Sequence, residues 1–173
     1  VIPLGFDLDR FQENIEEKRK SFREKYQIKD DEIAIGIIGR LVPIKNHQLF
    51  IKAIKEVQSK TSKKIRAFII GDGEEKEQLI ELLKRIDLDY AEWLKDEVPA
   101  TVILTSWIKE VDWANAGLDI ITLTSLNEGT PVSLIEAQAS NKPIVTTNVG
   151  GVENIVLKDE TAFITESNNL DQF

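Results

Sequence analysis

The stretch SLNEGTPVSLIEAQAS (125–140) holds the residues best suited to chemistry. Thr130 suits a helix N-cap and Pro131 the first turn after it, so a helix should begin there with free N–H groups and the positive end of its dipole exposed. An anion such as phosphate belongs at that end. Gly129 leaves room for it to approach the backbone, Glu128 sits in the loop just before, and Val132 opens the helix. Glu136 follows Pro131 by five residues on an otherwise apolar helix carrying Val132, Leu134, Ile135 and Ala137. A carboxylate there needs a partner, because burying an unpaired charge is costly. The paired hydroxyls of a ribose would supply two donors; an ion pair to Arg40, or a wet helix face, would also answer.

A second constellation is GRLVPIKN (39–46), directly after an apolar run. Gly39 allows a sharp turn, Arg40 offers a planar fork suited to phosphate, and Lys45 adds a point charge near the next helix start. Two cations around one turn could clamp a diphosphate, or could be incidental charge on a solvated loop. In GDGEE (71–75) Gly71 and Gly73 permit a close turn and Asp72 can cap the following helix, which is turn chemistry and not a phosphate loop. In TTNVGGVENI (146–155) Gly150 and Gly151 either present backbone donors to a ligand or simply make the turn before a helix start.

The elements that must position these residues follow from hydrophobic patterning. Short, nearly unbroken apolar runs recur at 33–39, 65–71, 101–105, 118–124 and 142–147, as expected of strands covered on both faces. Helical segments follow the first run (46–60), the second (74–86) and the fourth (131–140). Alternation of strand and helix predicts parallel βαβ units, hence an α/β doubly wound parallel sheet flanked by helices, with ligands at the carboxyl ends of its strands. Residues 9–26 form a further charged helix in which Phe11, Ile15, Phe22 and Tyr26 dock, while Lys18, Arg19, Lys20, Arg23 and Lys25 form a solvated face or a membrane-surface patch. Residues 87–100 form a loop or short helix without a clear place.

Composition narrows the chemistry. The 173 residues fit one domain. No apolar run approaches the roughly 20 residues that span a bilayer, so no transmembrane segment is expected. With no cysteine and one histidine, no metal centre is expected; no cofactor is implied either. A net charge of −8 argues against nucleic-acid binding, so an anionic ligand must be held locally. The opening VIPLGFDLDRF lacks the basic start and long apolar segment of a signal peptide. The chain reads as part of something longer, cytoplasmic, with the full-length protein peripheral at the inner membrane face as the alternative.

GRLVPIKN, the GDG turn, and EGTPVSLIE with two glutamates separated by seven residues together resemble the C-terminal, donor-binding domain of GT-B-fold retaining glycosyltransferases of the group 1, or family 4, type. VIPLGFDLDRF resembles the segment after that family's interdomain linker. The resemblance covers nearly the entire chain and implies one half of two facing Rossmann-like domains, the N-terminal acceptor domain being absent from residues 1–173. It implies a nucleoside-diphosphate-sugar donor (a UDP- or GDP-sugar), an acceptor glycan or lipid-linked glycan, and a role in polysaccharide biosynthesis. By resemblance Arg40 and Lys45 contact the diphosphate, assisted by backbone N–H groups of Gly129, Thr130, Pro131's neighbours and Val132, while Gly39 shapes the turn. Glu136 holds the ribose, Glu128 contacts the transferred sugar, and Trp107 or the backbone of Ile108 meets the base. Leu4 stands where the family commonly has asparagine and Asn141 where it often has glycine. A nucleotide-sugar epimerase of the same architecture and a non-catalytic nucleotide-binding module are the competing expectations.

Overall fold

The computed structural model describes residues 5–96 and 98–173; residues 1–4, Leu4 among them, lie outside the described residues. Strands β1 (Glu32–Ile38), β2 (Lys64–Ile70), β3 (Tyr90–Glu92), β4 (Val102–Ser106), β5 (Ile120–Leu123), β6 (Ile144–Thr147) and β7 (Ala162–Thr165) form one sheet in the order β3-β4-β2-β1-β5-β6-β7. Every neighbouring pair runs parallel. The chain therefore builds outward from β1 on one side, then crosses back to lay β5 against the other edge of β1. The β1/β5 boundary is the topological switch point, where loops leave in opposite directions and open a crevice at the carboxyl ends.

The helices are α1 (Ile15–Lys25), α2 (His47–Lys60), α3 (Lys76–Arg85), α4 (Trp93–Asp96), α5 (Val111–Gly117) and α6 (Val132–Ala139). None among the described residues is long and apolar enough to cross a membrane. Alternate strand residues serve opposite faces. Ile65, Ala67 and Ile69 of β2 join the core under α2 and α3, with Phe50, Ile54, Leu79 and Leu83. Phe68 and Ile70 join the core on the other face with Phe22, Leu118, Leu134 and Ala137, from α1, the α5–β5 turn and α6. Period-two alternation with both faces apolar explains why these strands read as continuous hydrophobic runs. The Rossmann-like α/β architecture expected from the sequence is thus present.

Four details differ from expectation. Seven strands stand where five apolar runs were visible, because β3 and β7 are three and four residues long and carry Tyr90, Glu92, Thr165 and other residues of mixed polarity. Within 87–100, residues 90–96 form β3 and α4 at the sheet edge. Helix α5, VDWANAG, was not foreseen; its short stretch mixes β-favouring, small and polar residues, and tertiary contact with α1 holds it.

The fourth correction concerns Lys18, Arg19 and Arg23 of the α1 cations expected to be solvated; Lys20 and Lys25 are exposed as expected. Lys18 and Arg23 are buried. Lys18 Nζ lies 2.8 Å from Asp112 Oδ2 of α5, Arg19 lies 2.6 Å from Asp119 Oδ1, and Arg23 lies 3.2 Å from Asp119 Oδ2. Asp119 also accepts the Ala34 N–H at 2.8 Å. Burial would raise its pKa, but these bonds and the two guanidinium charges more than offset that and hold it low. Lys18 fastens α1 to α5, and Arg19 and Arg23 fasten it to the chain entering β5; no membrane patch is needed to explain these three. Asn141, at the end of α6, has φ 54°, the left-handed conformation in which asparagine is among the tolerated side chains. Its N–H donates to Gln138 O and that of Lys142 to Ala137 O, so the departure from glycine keeps the helix stop intact.

Candidate functional site

The β1 carboxyl end turns sharply at Gly39, and the turn is stitched to the loop after β2. The Gly39 N–H donates to Ile70 O, that of Leu41 to Asp72 O and that of Glu75 to Leu41 O, at 3.0 Å each. A Cβ on Gly71 would sit 1.9 Å from Gly39 O, so the GDG turn buttresses the Gly39–Arg40 loop, in keeping with the turn role read from its residues. Asp72 does not cap α3 as anticipated. The α3 N-terminus has no side-chain cap; instead Asp72 accepts Ser106 Oγ and its neighbour Gly73 N–H, both at 2.8 Å, and the Ser106 bond foremost lowers its pKa. That bond joins this loop to the β4 end, where Trp107 stands 57% exposed and Ile108 packs against the core.

Across the switch point, residues from the β1 and β5 loops meet. Lys45 Nζ lies 2.6 Å from Glu128 Oε1, and the buried Ser125 Oγ donates to the same oxygen at 2.6 Å. Backbone ties fix both arms: Thr124 Oγ1 donates to Lys45 O at 2.9 Å, Thr147 Oγ1 to Ser125 O at 2.7 Å, and the Leu126 N–H to Ile44 O at 2.8 Å. Ser125, Thr124 and Thr147 were not singled out from the sequence. A clue was there, hydroxyl residues at the ends of strands otherwise apolar, but it is shared by ordinary strand ends.

The Gly150–Gly151 pair has a definite task. Gly150 has φ +51°, and a Cβ there would lie 1.8 Å from Glu128 O. The Gly151 N–H donates to that same carbonyl at 3.0 Å. The two glycines let the β6 loop press directly on the backbone of Glu128 and Gly129. Gly129 itself has nothing within 4 Å of a would-be Cβ, the open space that a phosphate approaching the backbone would require.

Helix α6 starts one residue later than expected. Pro131 occupies the N-cap with no side-chain cap, and Thr130 does not fill that role. Pro131 O accepts from the Leu134 and Ile135 N–H groups, which leaves the first-turn N–H groups of Val132 and Ser133 uncapped at the positive end of the dipole. On this helix Glu136 is half-buried. Its one ion-pair partner among the described residues is Arg10 at 3.9 Å, on a side chain 51% exposed. Burial raises its pKa, Arg10 opposes this, and Asp112 adds to it. The expected alternative of an Arg40–Glu136 pair does not occur: Arg40 is exposed and its side chain makes no hydrogen bond or ion pair among the described residues.

One further group lies beneath. His47 opens α2 beside Lys45 and is fully buried, with both ring nitrogens unpartnered. Burial foremost, and the Lys45 charge second, lower its pKa to about 4, so it is a neutral imidazole at physiological pH.

A parallel sheet that gathers an exposed arginine, a lysine–glutamate pair and a helix N-terminus around its switch point defines a Rossmann-like α/β domain. Its family is recognisable: the sequence profile described as "Glycosyl transferases group 1" matches residues 18–173, and the chain belongs to that family. It is 29% identical over 175 aligned residues to the UDP-Gal:alpha-D-GlcNAc-diphosphoundecaprenol alpha-1,3-galactosyltransferase of Escherichia coli, covering 100% of this chain and 42% of the relative. It is 28% identical to the GDP-mannose-dependent alpha-(1-6)-phosphatidylinositol monomannoside mannosyltransferase of Mycolicibacterium smegmatis, covering 98% and 44%. The chain thus spans about two fifths of the length of these relatives. Among solved structures, Anabaena Alr3699/HepE in complex with UDP and glucose superposes with a TM-score of 0.80 at 21% identity, covering 99% of this chain and 44% of that one. The C-terminal domain of the group 1 protein LpcC from Francisella tularensis superposes with a TM-score of 0.73 at 25% identity, covering 97% and 83%.

Proposed function

We propose that this chain is the donor-binding half of a retaining glycosyltransferase that takes a nucleoside-diphosphate sugar, a UDP- or GDP-sugar. The observation that carries the reading is the meeting of Lys45 and Glu128 at the β1/β5 switch point, beside the uncapped start of α6. Arg40 and Lys45 bind the diphosphate together with backbone N–H groups around Gly129, Thr130, Pro131 and Val132. Glu136, half-buried and weakly paired, accepts from the ribose hydroxyls. Glu128 holds a hydroxyl of the transferred sugar, and Trp107 and Ile108 border the base.

In the reaction the bond from anomeric carbon to diphosphate breaks, the leaving group departing with its electron pair toward the cations, and an acceptor hydroxyl attacks from the face being vacated, its proton passing to the departing diphosphate oxygen. Fixed charges and N–H dipoles that stabilise the departing diphosphate lower the barrier because they need no reorganisation. The E. coli and Mycolicibacterium relatives are named for lipid-linked acceptors. They support a lipid-linked glycan as acceptor, held mainly by an N-terminal domain not contained in this chain, with the complete protein working at the cytoplasmic face of a membrane.

Calorimetric titration with UDP, GDP and ADP tests the reading, on the wild-type chain, on Glu136→Ala, and on Arg40→Ala combined with Lys45→Ala. The expected result is weak, base-selective binding that each variant reduces at least roughly tenfold, the loss of about one charge-assisted contact. No binding by the folded wild-type chain, or binding indifferent to these changes, would overturn it.

A further inference from the structure

The structure assigns Ser125 as the positioning residue for Glu128, leaving Oε2 of that carboxylate to accept a hydroxyl of the donor sugar. This rests on the reading just given and adds how its sugar contact is built. A carboxylate has roughly four acceptor positions on two oxygens. Oε1 takes both Lys45 Nζ and Ser125 Oγ at 2.6 Å, while Oε2 carries no hydrogen bond among the described residues.

The two donors on Oε1 are unlike in a way that matters once a ligand arrives. Lys45 is a flexible cation whose side chain is 26% exposed, and a diphosphate would compete with Glu128 for its charge. Ser125 is neutral, 0% exposed, and its main chain is held by Thr147 Oγ1 from the neighbouring strand at 2.7 Å. An incoming phosphate has little hold on such a donor. Ser125 therefore keeps Glu128 in place while Lys45 turns to the diphosphate, and the carboxylate stays oriented toward the sugar at the stage when orientation counts. The backbone of Glu128 is fixed independently, by the Gly151 N–H on its carbonyl, so only the side-chain torsions depend on the serine.

The test separates sugar recognition from nucleotide recognition. Affinities of UDP and UDP-glucose, and of GDP and GDP-mannose, are measured on wild type, Ser125→Ala and Ser125→Thr, with the amide NMR fingerprint confirming the fold of each. Ser125→Ala should leave nucleotide affinity within about twofold and reduce the extra affinity conferred by the sugar roughly tenfold, the loss of one hydrogen bond to a charged group; Ser125→Thr, which keeps the hydroxyl, should restore it. An unchanged sugar increment, or an equal loss for nucleotide and nucleotide sugar, overturns the assignment.

A ligand-free arm decides the matter even if no nucleotide binds, an outcome that would sink the donor-site reading by itself. The Lys45 ammonium resonance, identified by its disappearance in Lys45→Arg, should be protected from solvent exchange in wild type and exchange several-fold faster in Ser125→Ala. Unaltered protection would show that Glu128 holds its place without the serine.

Discussion

Acidification should destabilise this fold through His47 specifically. The imidazole is fully buried with neither nitrogen bonded, and its pKa falls from 6.5 to about 4. The folded state thus resists the proton that the unfolded chain accepts, and between these values the unfolded state binds more protons. Stability must then fall as pH drops from 6.5 toward 4 and level off below. The gap between 6.5 and about 4, at about 1.4 kcal/mol per pKa unit, amounts to about 3 kcal/mol. Urea unfolding of wild type and His47→Leu at pH 7.5, 6.5, 5.5, 4.5 and 4 measures it. The wild type should lose about 3 kcal/mol relative to the variant across that range, whereas other carboxylates and lysines, present in both proteins, cancel in the difference. A difference that stays flat with pH would refute the reasoning and mean that the imidazole finds a proton acceptor or water on charging.

Two glycines of the site should respond oppositely to alanine. Gly150→Ala forces a side chain into the left-handed region and against Glu128 O at 1.8 Å, so chemical denaturation should show a loss of about 2–4 kcal/mol; Gly129→Ala meets nothing within 4 Å and should cost at most about 0.5 kcal/mol, yet weaken nucleotide binding in the same calorimetry by crowding the backbone N–H groups. Asp119→Ala removes the acceptor shared by Arg19, Arg23 and the Ala34 N–H, leaving a buried guanidinium unpaired at that point, and thermal or urea unfolding should register a loss of about 3 kcal/mol.

How much of this could be read from residues alone depends on what each residue answers to. Lys45 and Glu128 were visible because each stands by a glycine turn in a motif that resembles the family's; by its residues alone the Lys45 loop read equally well as incidental charge. Their direct pairing was not visible, since it depends on β5 returning to lie against β1, a contact between residues far apart in the chain. The α6 start was placed within one residue, but a Thr-Pro pair admits two caps, and here Pro131 with no side-chain bond prevails. Lys18, Arg19 and Arg23 were misread for the same long-range reason: a charged helix face looks solvated until Asp112 and Asp119 arrive opposite it. Short strands β3 and β7 carry too few residues for a period to show, and pairing with β4 and β6 alone makes them strands.

For the proposed ligand, a chain of net charge −8 presents a difficulty that the site's geometry resolves. Repulsion between a diphosphate and carboxylates spread over the surface is screened within about 8 Å at physiological salt, so the groups in contact decide. In the ligand-free protein Lys45 is already neutralised by Glu128 at 2.6 Å, which prevents an uncompensated charge in a half-buried crevice, and Arg40 waits exposed. On the proposed reading, arrival of the diphosphate would exchange one carboxylate for two phosphate groups around the same ammonium and add the guanidinium and the α6 N-terminus. Glu128 would then give up part of its cation but keep the Ser125 donor, at 2.6 Å in the ligand-free protein, and gain a sugar hydroxyl. A free nucleotide offers no such hydroxyl near Glu128. The exchange would therefore be more favourable for the nucleotide sugar than for the nucleotide left behind, a direction that would favour loading of the donor over retention of the product.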